Sequence, residues 1–326
     1  MTPLPVSVIT GFLGSGKTTL LSRLLRDPAF ERTAVIINEF GAVGLDHLLV
    51  ESSDEQILVL EGGCVCCTVR GDLVRTAADL LARRAAGTVT PFERIVIETT
   101  GLADPAPILH ALMTDRDIAE VLRLESVITT VDAAAGAATL DAHPQSLRQA
   151  ALADCIVVTK SDLADPDRLV ERLDELNPGA PKLTAVHGAV DARLLFQTRK
   201  AFPENGDSHH FPNADRHVHD GITTFCLRRD KPLHAVTLGL FLQVVAEHCG
   251  AKLLRLKGLV DVIESPGRPA VIHGVQHVFH PPAWLDAWPD DDHSTRIVVI
   301  SQGLDARWLK NLLEVLDQEV EACSIS

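Results

Sequence analysis

Gly11-Phe12-Leu13-Gly14-Ser15-Gly16-Lys17-Thr18-Thr19 has the residue types and spacing that can grip a phosphate chain. Glycine at the first, fourth and sixth places, then Lys-Thr, fits the pattern G-x-x-x-x-G-K-[ST]. Glycines let successive backbone N–H groups converge on an anion, and a helix starting at the loop adds its positive end. The candidate nucleotide-binding residues here are Gly11, Gly14, Ser15, Gly16, Lys17, Thr18 and Thr19. Lys17 can span β- and γ-phosphate oxygens, and the Thr18 hydroxyl is placed to ligate Mg²⁺.

A second candidate group is Ile95-Val96-Ile97-Glu98-Thr99-Thr100-Gly101. An acid at the carboxyl end of a strand beside a phosphate loop can reach Mg²⁺, directly or through water, which makes Glu98 a catalytic and metal-binding candidate. Gly101 is placed to offer an N–H to the γ-phosphate. A third group, Thr159-Lys160-Ser161-Asp162, resembles the Asn-Lys-x-Asp motif that reads guanine. The Asp162 carboxylate can accept from the N1–H and the exocyclic amine of guanine; adenine lacks that donor pair and would leave the carboxylate unmet. The Lys160 stem can cover the base face. Thr159 stands where asparagine is usual. GTP is therefore the expected nucleotide, and a small-molecule kinase using ATP is disfavoured.

Cys64-Val65-Cys66-Cys67 places three of the seven cysteines within four residues. Such a cluster can be a buried apolar patch, a redox centre or a metal site. A vicinal disulfide is strained, and a reducing compartment disfavours it. Three thiolates suit Zn²⁺ or another soft or borderline ion and leave the fourth position open, as a site that releases its metal needs. Metal is the favoured reading. Glu39 is either a fourth ligand or a structural acid. Asp46 and His47, in the segment expected to respond to the γ-phosphate, are candidates to orient water or touch Mg²⁺, the alternative being a solvated pair.

The elements that must hold these groups follow from periodicity. Val6 to Ile9, Thr33 to Ile37, Ile57 to Leu60, Arg94 to Glu98, Ser126 to Val131, Cys155 to Thr159 and Lys182 to Val186 are short apolar or β-branched runs. Several are followed by helical patterns, at Leu20 to Arg26, Asp72 to Arg84, Pro144 to Leu152 and Pro166 to Leu176. Strands alternating with helices predict an α/β fold, a doubly wound parallel sheet with helices on both faces. From Pro203 to Asp220 the chain is polar, holds His209, His210, His217 and His219, and reads as a linker whose histidines are solvated, the alternative being a metal-binding role. Ile222 to Leu227, Leu253 to Ile263, Ala270 to Val275 and Arg296 to Ile300 read as strands, with helices at Leu233 to Cys249 and Asp305 to Glu321. They predict a smaller α+β domain, an antiparallel sheet with helices on one face. The expected domains are 1–202, a linker 203–220, and 221–326.

Thirty Lys and Arg against 44 Asp and Glu give a formal charge of −14, which argues against a nucleic-acid or anionic-membrane partner. No apolar run approaches a membrane span, and the N-terminal residues show no signal-peptide pattern. The odd cysteine count suits a reducing compartment, so the cytoplasm is expected. Cys155, Cys226, Cys249 and Cys323 lie in or beside expected elements and read as core residues.

Taken in order, the phosphate loop, Asn38-Glu39-Phe40-Gly41, Gly63-Cys64-Val65-Cys66-Cys67, Glu98-Thr99-Thr100-Gly101 and Thr159-Lys160-Ser161-Asp162 resemble the CobW/YjiA-like metallochaperone GTPases. These are relatives of the nickel-inserting urease and hydrogenase accessory GTPases. Leu254-Arg255-Leu256-Lys257-Gly258 and His293-Ser294-Thr295 resemble that family's second domain. The resemblance implies GTP hydrolysis with Mg²⁺, coupled to delivery of a transition metal, most often zinc and otherwise cobalt or nickel, to a client metalloprotein. It also implies that Cys64, Cys66 and Cys67 hold the cargo. Gly41-Ala42-Val43 departs from the Gly-Glu-Val of many relatives, so a carboxylate is missing there. A nucleotide-gated metal sensor is the alternative. The sequence is compatible with a homo-oligomer and does not determine one.

Overall fold

A computed structural model describes residues 3–38, 57–59, 68–196, 217–219 and 221–324. They form two compact units, 1–173 with 180–199, and 174–179 with 200–326. Glu39, Asp46, His47, Cys64, Cys66, Cys67, His209 and His210 lie outside the described residues.

The first unit is built on seven parallel strands: β1 (Leu4–Gly11), β2 (Thr33–Asn38), β3 (Ile57–Val59), β4 (Arg94–Thr99), β5 (Leu122–Asp132), β6 (Cys155–Thr159) and β7 (Lys182–Ala185). Their spatial order is β3-β2-β4-β1-β5-β6-β7. Val6, Val8 and Ile9 are all fully buried, as a strand covered on both faces requires. One face packs on α1 (Lys17–Leu24) and α7 (Ala192–Phe196), where Ile9, Val35, Val96, Ile128 and Val157 meet Leu20, Leu24 and Leu195. α2 (Thr68–Ala86), α3 (Ala106–Thr114), α4 (Gly136–Ala142), α5 (Pro144–Leu152) and α6 (Asp167–Leu176) complete the set. In α2, Leu73, Ala77 and Leu80 are buried at helical spacing. Chain connections leave β1 toward β2 on one side and reach β5 on the other, so the order reverses at β1. Crevices at such reversals, beyond the carboxyl ends of the strands, are where open α/β sheets bind ligands.

The second unit is antiparallel, in the order β12-β11-β10-β14-β9-β8 with β13 beside β11. Its strands are β8 (His217–His219), β9 (Ile222–Arg229), β10 (Leu253–Val260), β11 (Ala270–Val275), β12 (Val278–Phe279), β13 (Ala283–Trp284) and β14 (Thr295–Gln302). Alternate residues Phe225, Leu227, Ile297 and Val299 share one core with Phe241 and Val245 of α8 (Ala235–Cys249) and Leu309 and Leu313 of α9 (Ala306–Ser324). Both helices thus cover the same face.

Several expected bounds shift. His217 to His219, expected within the linker, pair with Thr224 to Ile222 as an edge strand. The helix expected from Leu233 starts at Ala235, because Leu233 bridges to Val262 and donates to the Asp261 carbonyl at 2.9 Å. That bridge also ends β10 before Ile263. Cys155 and Cys249 are buried as expected; Cys323 is exposed near the end of α9 and Cys226 is half-buried. Among the described residues no helix is long and apolar enough to cross a membrane.

Candidate nucleotide-binding site

Gly11 ends β1 at φ 139°, and a Cβ there would stand 2.3 Å from Thr130 Oγ1 and 2.4 Å from the Thr130 carbonyl. Only glycine fits so close an approach. Gly14 and Gly16 follow at φ 71° and 91°, left-handed conformations that disfavour a side chain. Gly16 caps α1, so the helix begins at Lys17, earlier than its apolar spacing shows. Within the loop the Ser15 N–H donates to the Phe12 carbonyl at 3.1 Å.

Side chains from β5 and β6 hold the loop, and one from β4 holds the end of the strand that leads into it. Ser15 Oγ lies 2.6 Å from Thr130 Oγ1 on β5, so the buried serine hydroxyl is turned inward. Thr159 Oγ1, at the end of β6, donates to the Ser15 carbonyl at 2.7 Å. Thr99 Oγ1 on β4 donates to Thr10 Oγ1 at 2.9 Å. Lys17 Nζ donates to the carbonyls of Gly11 and Phe12 at 3.0 and 3.1 Å, which keeps the cation over the loop.

Thr18 Oγ1 donates to Glu98 Oε1 at 2.7 Å. Glu98 is only 5% exposed. This pair of hard oxygen donors beside a phosphate cradle fits Mg²⁺, which takes oxygen ligands and substrate phosphates together. Both residues line a cavity of about 500 Å³ shared with Lys17, Gly101, Lys160 and His187. A cavity of that size fits a nucleotide-sized ligand. Gly101 abuts the loop, since a Cβ on it would meet Leu13 N at 2.6 Å.

At the far side, Lys160 has φ 55° and its Nζ lies 2.6 Å from Asp132 Oδ2 at the end of β5. Asp132 Oδ1 also accepts from the N–H groups of Ala134 and Ala135. Burial alone would raise the Asp132 pKa. The Lys160 hydrogen bond, the two N–H groups and the Lys160 charge outweigh it and hold the carboxyl below its ordinary range. Asp162 is exposed and lies outside the cavity lining.

Residues 5–184 match the CobW/HypB/UreG nucleotide-binding domain. The chain belongs to the CobW/HypB/UreG family. Residues 222–316 match the cobalamin synthesis protein cobW C-terminal domain. The chain is 33% identical to zinc chaperone YjiA of Escherichia coli over 305 residues, 92% of this chain and 94% of that protein. It is 30% identical to zinc chaperone CobW of Pseudomonas aeruginosa over 354 residues, covering 95% and 90% of the two chains. The fold resembles the crystal structure of Zn(II)-bound YjiA GTPase from E. coli with TM-score 0.71 and 27% identity, over 97% of this chain and 99% of that one.

In this CobW-family chain the structure brings together Gly11, Gly14, Ser15, Gly16, Lys17, Thr18, Thr19, Glu98, Gly101, Thr159 and Lys160 around one loop and cavity. Asp132, Thr130, His187 and Gln149 escaped the sequence reading. Asp132 carried a usable signal, an acid at the carboxyl end of a buried strand, the same cue that marked Glu98. His187 occupies a turn at φ 48° before Gly188 at φ 72°, and its neighbours gave no sign of that geometry.

Proposed function

We propose that this GTPase couples hydrolysis of GTP to delivery of a transition metal, zinc in the first instance, to a client metalloprotein. The carrying observation is the 2.7 Å contact of Thr18 with Glu98 in the lining of a cavity that Lys17 and Lys160 also line. In this reading Gly14 to Thr19 wrap the phosphates, and Lys17 turns from the Gly11 and Phe12 carbonyls to β- and γ-oxygens. Thr18 and Glu98 hold Mg²⁺, which when bound supplies positive charge against the phosphates. Lys160 covers the base and Asp162 reads its guanine edge. Gly101 presents its backbone to the γ-phosphate, where an attacking water displaces the GDP oxygen from phosphorus. Asp46 is the proposed water-orienting residue.

Cys64, Cys66 and Cys67 hold the cargo, with Glu39 as candidate fourth ligand. α2 starts at Thr68, one residue after the last of these cysteines, so the cargo segment leads directly into a helix of the nucleotide domain. The names of the YjiA and CobW relatives support zinc. Thiolate chemistry suits a reducing compartment such as the cytoplasm. Two separate family matches support the division into a nucleotide domain, 1–202, and a C-terminal domain, 221–326.

The test is a Zn²⁺ competition titration against a chromophoric chelator with Mg²⁺ and a GTP analogue, with Mg²⁺ and GDP, and without nucleotide. Tighter zinc with the analogue, abolished by Cys66→Ala, is the expected result. Equal affinity in all three conditions would sink delivery driven by hydrolysis and leave the nucleotide-gated sensor without its gate as well.

A further inference from the structure

Gln149 of α5 is fully buried and takes no part in the chemistry assigned above. Its Nε2 donates to the carbonyls of Gly101 at 3.2 Å and Ala103 at 3.0 Å, using both amide donors. Its main-chain carbonyl accepts from Thr129 Oγ1 at 2.7 Å, which ties the same residue to β5. Next to it, Arg148 pairs with Asp104 at 2.8 Å. Asp104 in turn accepts from the Ala106 N–H at the start of α3. The connection from β4 to α3 is therefore fastened to α5 at Gly101, Ala103 and Asp104.

Among the described residues the Gln149 Oε1 is buried with no hydrogen-bond partner, and an unmet buried acceptor is unfavourable. An apolar side chain would avoid that cost but leave the Gly101 and Ala103 carbonyls without their donors. What the amide does achieve is to fix two carbonyls of a segment that lies against the phosphate loop at Leu13 and lines the cavity at Thr100 and Gly101. Stabilising charge on a transferring phosphoryl group requires donors that are already in place.

We propose that Gln149 is a positioning residue for GTP hydrolysis, holding the Gly101–Ala103 backbone in one arrangement at the γ-phosphate end of the cavity. The proposal rests on the GTPase reading of this site and concerns the γ-phosphate alone, so it separates GTP from GDP.

Gln149→Met in the full chain keeps the length of the side chain and removes both donors together with the unmet acceptor. Steady-state GTP turnover, titrations with fluorescent GDP and with a non-hydrolysable GTP analogue, and thermal unfolding are measured on wild type and variant. The expected result is kcat lower on the order of tenfold to a hundredfold, the loss typical of misplaced positioning groups. Analogue affinity should fall while GDP affinity holds. Unchanged kcat in a variant that melts like wild type overturns the proposal, as do equal losses of GDP and analogue affinity. A wild-type chain that binds no GTP overturns the underlying reading and this proposal with it. If the variant does not fold, amide exchange in the wild type decides: the Ala103 N–H, bonded to the Thr100 carbonyl at 3.2 Å, should exchange slowly with either nucleotide. Fast exchange there means that the segment is not held.

Discussion

Thr159 Oγ1 donates to the carbonyl of Ser15 at 2.7 Å, joining the end of β6 to the middle of the phosphate loop across 144 residues of sequence. Thr159 thus acts as a clamp on the loop. Thr159→Val keeps the shape and removes the hydroxyl, leaving a buried carbonyl short of a donor, a loss of about 1–2 kcal/mol. The melting temperature should fall by a few degrees, and GDP affinity with it. An unchanged melting curve would remove the clamp from this account.

Gly11 and Gly14 separate two reasons for glycine. Gly11→Ala drives a Cβ to 2.3 Å from Thr130 Oγ1 and 2.4 Å from the Thr130 carbonyl, where backbone must move. Gly14→Ala meets nothing within 4 Å and suffers only its left-handed φ of 71°. The second substitution should cost about 1 kcal/mol, and the first several times that. Denaturant melts of the two variants side by side test the ranking; equal losses would contradict it.

Asp132→Asn keeps an oxygen for the Ala134 and Ala135 N–H groups and removes the charge that pairs with Lys160. The native Asp132 carboxyl is held below its ordinary value of 3.8, so the folded chain binds that proton less tightly than the unfolded one. Its contribution is complete above the ordinary value and disappears as pH falls through the lower native value. Wild type should therefore exceed the variant in urea stability at neutral pH, with the gap closing as pH falls below 3.8. A gap that persists in acid would mean that the pair is not its source.

Glu98→Gln retains an acceptor for the Thr18 hydroxyl, now at 2.7 Å from Glu98 Oε1, but loses the charge. GTP turnover should drop on the order of a hundredfold, with higher Mg²⁺ needed for half-maximal rate. GDP affinity measured without Mg²⁺ should change little. A variant with wild-type Mg²⁺ dependence would take Glu98 out of the metal site.

Thiol labelling distinguishes the four described cysteines. In a chain with Cys64, Cys66 and Cys67 changed to Ser, Cys323 is the exposed one and should react first. Cys155 is buried, and burial pushes the Cys226 thiol up to about 11 and raises Cys249, so few thiolates form there. Mass spectrometry of the first-labelled peptide checks the order.

Motifs in order were enough for much of this protein. The phosphate loop, Glu98 and the run from Thr159 to Asp162 are each a contiguous string after an apolar run, so strand and turn were encoded within a few residues. The central strands were legible because burial on both faces demands unbroken Val, Ile and Leu. The short elements α3, α4, α7, β12 and β13 were not, since their residues are ordered by packing partners far away in sequence. Leu233 shows the same effect, diverted from a helix by its bridge to Val262.

What the sequence by itself determined is the glycine-rich loop, the central strands around it and the family to which the chain belongs. Local backbone conformation and hydrogen-bonding type are properties of neighbouring residues, and a linear string carries them. Only the tertiary structure decided that Ser15 faces Thr130, that Thr159 grips the loop, that Lys160 pairs with Asp132 and that Gln149 holds Gly101. Those contacts join strands brought side by side by the parallel sheet, where residues distant in the chain become neighbours because each strand end opens on the same crevice.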